Sequence, residues 1–396
     1  MRITLIAISL TACLLAACNS TESDPSPAQP ATLVADGTVA NWQPLPAHVA
    51  ISRDTQLARQ RILGIDKLDA GQVKLWWYGV SSFIMAAGGH LFLLDAWEVV
   101  GVHKNYVPIT RDDLVALKPE AIFIGHGHFD HAADAGYIAS RTGAALIAGD
   151  SVCAQARTDA ASNPEALDFR CLKLGLDADN PAGSVFSTRI FANMANVQII
   201  KHTHSAADPA SLTTGGMPLV YTPEILPFLT NLNTDPSETV KFLQSLPNDG
   251  GVGQPEGGTW AYHFRVGNFS LLWNDSTGGM PDNDPTADAV RVALAGLPDC
   301  VDVHLGAIVG FGMVTSAYRD ALAYVAAARP RLFMPNHHDA WFPGIGGGAS
   351  AYETQWTQAL MSLPNPPKQD YLRDPDDYLK VRSFDVKAAE WASNCQ

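Results

Sequence analysis

The chain has 396 residues, 47% of them hydrophobic, and carries 26 Lys and Arg against 40 Asp and Glu, a formal net charge of −14. It is long enough for a large core, above the size at which single cores usually stop growing. The acidic balance excludes the basic footprint with which proteins grip phosphate backbones, so nucleic acid is not an expected partner.

Met1-Arg2 gives a positive start to an apolar run, Ile3 to Ala17, that is too short to span a bilayer as a helix. The run ends in Leu15-Ala16-Ala17-Cys18, which resembles the lipobox cut by the bacterial lipoprotein signal peptidase. A rival, Leu10-Thr11-Ala12-Cys13, leaves too short an apolar core before it. Residues 1–17 therefore read as a lipoprotein signal peptide and Cys18 as the lipidated first residue of the mature chain. The other reading is an ordinary signal peptide with an incidental Cys. By the same resemblance, Asn19 in place of Asp implies sorting to the outer membrane, facing the periplasm, with the lipid anchor as the sole membrane attachment. Residues 18–48, rich in Ser, Thr, Pro and Ala, read as a disordered tether, and residues 49–396 as one domain.

Ser52 to Lys67 has a helical pattern. Strand-like runs follow at 73–78, 83–86 and 91–94, then a short helix at 112–117, a strand at 121–124, a helix at 132–141 and a strand at 145–148. That alternation implies a layered α/β fold. Further strand-like runs lie at 197–200, 260–266, 269–273 and 332–334, with Gly267-Asn268 as a hairpin turn. Residues 206–258, rich in Gly and Pro with an apolar patch from Met217 to Leu229, form a long insertion. It reads either as a lid or substrate wall, or as an excursion packed on its own domain. Gly344 to Gly348 reads as a flexible loop without the strand-to-helix context of a phosphate cradle. Beyond Cys13 and Cys18 there are Cys153, Cys171, Cys300 and Cys395. An oxidising compartment favours disulfides, and four cysteines allow three pairings. Cys153 with Cys171 closes a short loop and is preferred, leaving Cys300 with Cys395; buried free thiols are the alternative.

The densest chemistry lies in Ile124-Gly125-His126-Gly127-His128-Phe129-Asp130-His131, directly after a strand. Histidine is the commonest zinc ligand, and a carboxylate beside it suits water activation. The pattern His-x-His-x-Asp-His resembles the metallo-β-lactamase superfamily. Leu75 to Ile84 is similar to that family's first hairpin, although Val80 stands where the family usually has His, and Leu91 to Asp95 is similar to its next strand. Gly125 to Gly149 is close to a branch of metal-dependent hydrolases related to ascorbate-6-phosphate lactonase. His204-Ser205, Trp273 to Gly278 and Pro335 to Asp339 extend the likeness over roughly residues 73–345. The resemblance implies a four-layer αββα sandwich, a single domain with the long insertion.

Carried over residue by residue, it implies one metal on His126, His128 and His204, a second on Asp130, His131 and His337, and Asp275 bridging both. His204 is preferred over His202 because it precedes Ser, as the family's does. The ions would be two divalent cations, most often Zn in this family, with Mn or Fe as alternatives. Asp130 and Asp275 are the expected catalytic carboxylates. His338 is expected either to face substrate as a hydrogen-bond donor or to lie on the surface. Asp95, and more weakly Asp134 and Asp339, are candidates to orient ligand imidazoles; His263 and His304 read as satisfied structural histidines. Where true β-lactamases usually hold Cys or Ser, this chain has Asp275. The implied reaction is attack by a metal-bridging hydroxide on a carboxylic ester or lactone. The alternatives are a phosphodiesterase, lipid-directed in view of the anchor, and a non-catalytic metal-binding surface lipoprotein. The expected substrate is small or lipid-like.

Overall fold

The computed structural model describes residues 36–161, 163–176, 179–206, 257–298, 301–342 and 347–392. The signal peptide, Cys18, the body of the insertion, Cys300, Cys395 and most of the 344–348 loop lie outside these residues. In chain order the strands are β1 (Gly37–Thr38), β2 (Gln72–Trp77), β3 (Phe83–Ala87), β4 (His90–Leu94), β5 (Ala121–Phe123), β6 (Ala145–Ala148), β7 (Cys171–Lys173) and β8 (Val185–Thr188). They continue as β9 (Val197–His202), β10 (Thr259–Val266), β11 (Phe269–Asn274), β12 (Val303–Ala307), β13 (Leu332–Asn336), β14 (Lys368–Gln369) and β15 (Val381–Asp385). One sheet runs β1-β7-β6-β5-β4-β3-β2-β15 and the other β14-β13-β12-β11-β10-β9-β8.

The two sheets follow one plan. In the first, β2, β3 and β4 pair antiparallel and β4 to β7 parallel. In the second, β9, β10 and β11 pair antiparallel and β11 to β14 parallel. Alternation along the strands builds the layers, because successive side chains point to opposite faces. Ile199, Tyr262 and Leu271 enter the core shared between the sheets. Their neighbours Ile200, Ala261 and Leu272 pack beneath the helices Pro285–Ala295 and Arg319–Ala328. Phe333 packs against Trp356 of the helix Ala349–Met361. On the far side, the helices Ala135–Thr142 and Asp150–Ala161 lie on β6. Helix, sheet, sheet, helix is the expected four-layer αββα sandwich.

Local chemistry explains the element ends. The first helix spans Arg53–Leu63, capped by the Ser52 hydroxyl accepting from Thr55 N and closed by Gly64 at φ 68. It therefore stops short of Lys67. The helix expected at 132–141 divides into Phe129–Ala132 and Ala135–Thr142. Asp134 is drawn out of line: its amide donates to Ala96 O, and its carboxylate accepts from Glu98 N at 2.6 Å and pairs with Arg111. Asp134 holds that loop and orients no ligand. The turn at Gly267-Asn268 joins β10 to β11 as expected, with Gly267 at φ 60.

Cys153 and Cys171 form a disulfide, tying the helix Asp150–Ala161 to β7. The tether reading of 18–48 does not hold for its last part. Gly37 and Thr38 pair with Leu172 and Lys173 of β7, Trp42 is 6% exposed in the core, and Leu45 bridges to Phe191. Arg170 stacks its guanidinium on Trp42, 3.9 Å from the ring centroid. A single buried indole outweighs the polar composition around it. Among the described residues no helix is long and apolar enough to cross a membrane.

Candidate metal centre

The strand ends of both sheets converge on one cluster. His126, His128, Asp130 and His131 leave β5, with His128 at the N-cap of the short helix Phe129–Ala132. His204 leaves β9, Asp275 directly follows β11, and His337 directly follows β13. Asp95, after β4, and His337 take positive φ values of 59° and 61°. Such backbone is costly for residues other than Gly and persists where its surroundings hold it. Asp95 N donates to Phe123 O at 2.8 Å, and His337 N donates to Val80 O at 2.9 Å. The departure at Val80 is thus a backbone matter. Val80 N donates to the Asp339 carboxylate and its carbonyl accepts from Trp77 Nε1, so this turn braces His337 without an imidazole of its own.

Three overlapping triads gather ligand atoms within 4.8 Å of one another: His126, His128 and His204; His126, His131 and Asp275; Asp130, His131 and His337. The outer two are the sets expected for two cations, and the middle one joins them through Asp275. His126 Nδ1 lies 2.7 Å from Asp275 Oδ2, and His126 Nε2 lies 3.0 Å from His128 Nδ1. Asp130 Oδ2 is 3.3 Å from His131 Nε2 and 3.4 Å from His337 Nε2. Asp95 Oδ2 is 2.7 Å from His131 Nδ1 and accepts from Ser81 Oγ at 2.6 Å, leaving His131 Nε2 directed into the centre. Asp95 Oδ1 accepts from Gly125 N. A carboxylate behind a ligand imidazole fixes its tautomer and orientation.

Electrostatics favour the ligand forms of His126, His204 and Asp130. Burial first, then the neighbouring His131 and His128, hold His126 well below its usual range. Burial and the other imidazoles push His204 down to about 2. Burial alone would raise Asp130, but His131 and His337 pull it well below the usual carboxylate range. His131 is the exception: burial alone would lower it, but Asp130, Asp95 and Asp275 converge on it and lift it well above the usual range, so a cation must displace its proton. Asp275 Oδ1 and His337 Nδ1 are buried and have no hydrogen-bond partner among the described residues. Neutral His126 and His204, the adjoining carboxylates of Asp130 and Asp275, and the unpartnered Asp275 Oδ1 suit divalent cations. The floor is closed, with His126, His131 and Asp275 at 1% or less exposed. His128, His204 and His337 are partly exposed, and among the described residues one side of the centre is open, as a catalytic rather than a structural centre requires.

The other candidates fall elsewhere. His202 turns from the cluster: its Nδ1 is 3.0 Å from Tyr324 Oη, and burial lowers it to about 4. His338 neither faces substrate nor lies on the surface. Its ring stacks on Trp77 at 5.9 Å and its Nε2 donates to Leu372 O at 2.8 Å, because residue 337 in left-handed backbone sends consecutive side chains into different environments. Asp339 accepts from Val80 N and Tyr378 Oη and touches no ligand imidazole. His304 lies 2.6 Å from Asn274 Oδ1 within the sheet, and His263 is buried on β10. Sequence reading assigned no role to Ser81 or Gly125. A Cβ at Gly125 would fall 2.0 Å from the Asp275 Cγ, so only glycine lets β5 approach that carboxylate. The Ser81 signal was present in the hairpin Gly79 to Phe83; the Gly125 contact is long-range and leaves no local mark.

Residues 76–254 match the model of the metallo-beta-lactamase superfamily. The chain is 26% identical over 267 residues to a UPF0173 metal-dependent hydrolase of Anaeromyxobacter sp. (strain K), covering 66% of this chain and 85% of that one. It is 38% identical over 76 residues to a UPF0173 metal-dependent hydrolase of Methylacidiphilum infernorum, covering 19% and 31%. Among solved structures it is similar to a metallo hydrolase from the archaeon Ignicoccus hospitalis, at 16% identity and a TM-score of 0.48, covering 79% of this chain and 98% of that one.

Proposed function

We propose that this chain, with its match to the metallo-β-lactamase superfamily model and its UPF0173 relatives, is a metal-dependent hydrolase that cleaves a carboxylic ester or lactone at a two-cation centre. The observation that carries the reading is the set of overlapping triads, closed beneath and open at His128, His204 and His337. His126, His128 and His204 would hold one cation, Asp130, His131 and His337 the other, and Asp275 both. When bound, such ions supply Lewis acidity and an activated water. The chain's own residues do the rest. Asp95 and Ser81 fix the His131 ring. Asp130, held ionised by His131 and His337, keeps its carboxylate ready as a ligand to the second cation. The closed floor keeps bulk water from the rear of the centre. Asp275 in place of Cys or Ser argues against β-lactam cleavage, and the likeness to the ascorbate-phosphate lactonase branch favours a carboxylic centre over a phosphodiester. The Leu15-Ala16-Ala17-Cys18 sequence supports a place in the bacterial envelope, as a lipoprotein facing the periplasm.

The test is elemental analysis of protein purified without chelator, coupled to a panel of esters, lactones and phosphodiesters with Zn, Mn or Fe supplied. We expect close to two ions per chain and turnover of esters or lactones. Metal near zero after supplementation sinks the reading; turnover confined to phosphodiesters moves the substrate to that class.

A further inference from the structure

Beside the open edge of the centre stands Phe311, 67% exposed and the one aromatic ring among the exposed large hydrophobic side chains of the described residues. Single exposed apolar residues are ordinary. Phe311 differs in how it is held and what it adjoins. Its ring centroid lies 6.4 Å from that of His204, tilted by 51°, within the range of ring contact. The loop that carries it is pinned beneath. Gly312 N donates to Ser205 Oγ at 2.9 Å, and Ser205 N donates to Ser276 Oγ at 3.0 Å. The closeness of that contact shows at Gly310, where a Cβ would fall 2.5 Å from Ser205 Oγ and 2.9 Å from its Cβ. The loop is thus pressed onto the residue next to His204, with its one large side chain outward. Across the opening, the His337 ring meets Trp341 at 6.0 Å. Imidazoles at both ends of the open side are bordered by apolar rings.

We infer that Phe311 is a specificity-determining contact, seating an aliphatic or aromatic substituent of the substrate against the His204 end of the centre. The inference rests on the hydrolase reading for the meaning of "substrate", while its geometry is independent of the bond cleaved. A hydrophobic wall discriminates by apolar size, at ~10-fold or more per well-buried methylene or ring face.

The probe is a straight-chain carboxylate series (acetate, butyrate, hexanoate, octanoate) bound to zinc-loaded protein and followed by calorimetry, with hydrolysis of the corresponding p-nitrophenyl esters measured separately. In the parent chain, affinity should rise with chain length. Phe311→Ala should flatten that rise, costing ~10-fold for octanoate and little for acetate, while Phe311→Leu retains most of it. Melting temperature and metal content should stay unchanged, because the side chain is exposed. For hydrolysis, the loss should fall on KM for long esters with kcat for acetate ester preserved. An unaltered length dependence in Phe311→Ala overturns the inference whatever the activity. A length dependence that needs Phe311, in a protein that cleaves no ester or lactone, upholds the contact and removes the ester and lactone reading instead.

Discussion

The side chains of His202 and His204, two positions apart at the exit of β9, meet different surroundings. One is sealed against Tyr324, and the other joins the imidazoles of His126 and His128. Their alanine variants should therefore fail in different ways. His204→Ala should lose cation affinity and hydrolysis while the metal-free protein melts as before. His202→Ala should retain metal but lose about 1–3 kcal/mol of stability, the cost of leaving a buried hydroxyl short of its partner. Metal titration and chemical unfolding on both variants decide the matter; a metal-replete His204 variant beside a metal-free His202 variant reverses the assignment. Preference for His204 was already legible in its neighbour Ser205, whose hydroxyl proves to anchor the 310–312 loop. The place of His338 was not legible, because it depends on the φ of His337 and on Trp77, far away in sequence.

Among the elements, the strands around the centre could be read directly: β2 to β6, β9 to β11 and β13 are short apolar runs ending in Gly, Asp or His. The polar edge strand β15, whose burial pattern is half open throughout, carries no such signal and is formed by pairing with β2. The start of β4 holds another feature invisible to pattern. His90, buried between strands, has Nδ1 2.7 Å from Glu120 Oε2 and Nε2 2.6 Å from Asn193 Oδ1, so both ring nitrogens face acceptors. Burial lowers its proton affinity, but the bonds to Glu120 and Asn193 and the Glu120 charge raise it overall. A histidine raised in the folded state contributes stability that is complete below its unfolded pKa, about 6.5, and that is lost as pH rises through the folded value. Urea unfolding should show this decline above pH ~6.5, and Glu120→Gln should diminish it. An equal slope in both proteins would show that His90 is not its source.

At the scale of the whole molecule, both sheets repeat one order of pairing, and each lends strand ends to the centre. Asp95 and Asp275 occupy corresponding places, each after the third strand of its set and each against an imidazole of the 126–131 run. The sequence showed the ligand types and the α/β alternation, because both are local. It did not show that two equivalent halves meet, since that correspondence lies in topology rather than in repeated residues.

That correspondence has a kinetic consequence. A nascent chain emerges N-terminus first and long-range parallel pairing is slow, so the strands up to β7 appear with His126, His128, Asp130 and His131 before Asp275 or His337 exists beside them. The first half by itself offers an incomplete cage, and tight ion capture awaits its counterpart. In refolding from denaturant with cobalt present, ultraviolet dichroism should return before the visible absorption of coordinated cobalt, and the delay should lengthen when β11 is weakened by Leu271→Ala. Simultaneous recovery of both signals would mean instead that the ion gathers its ligands early and that docking of the halves follows from capture.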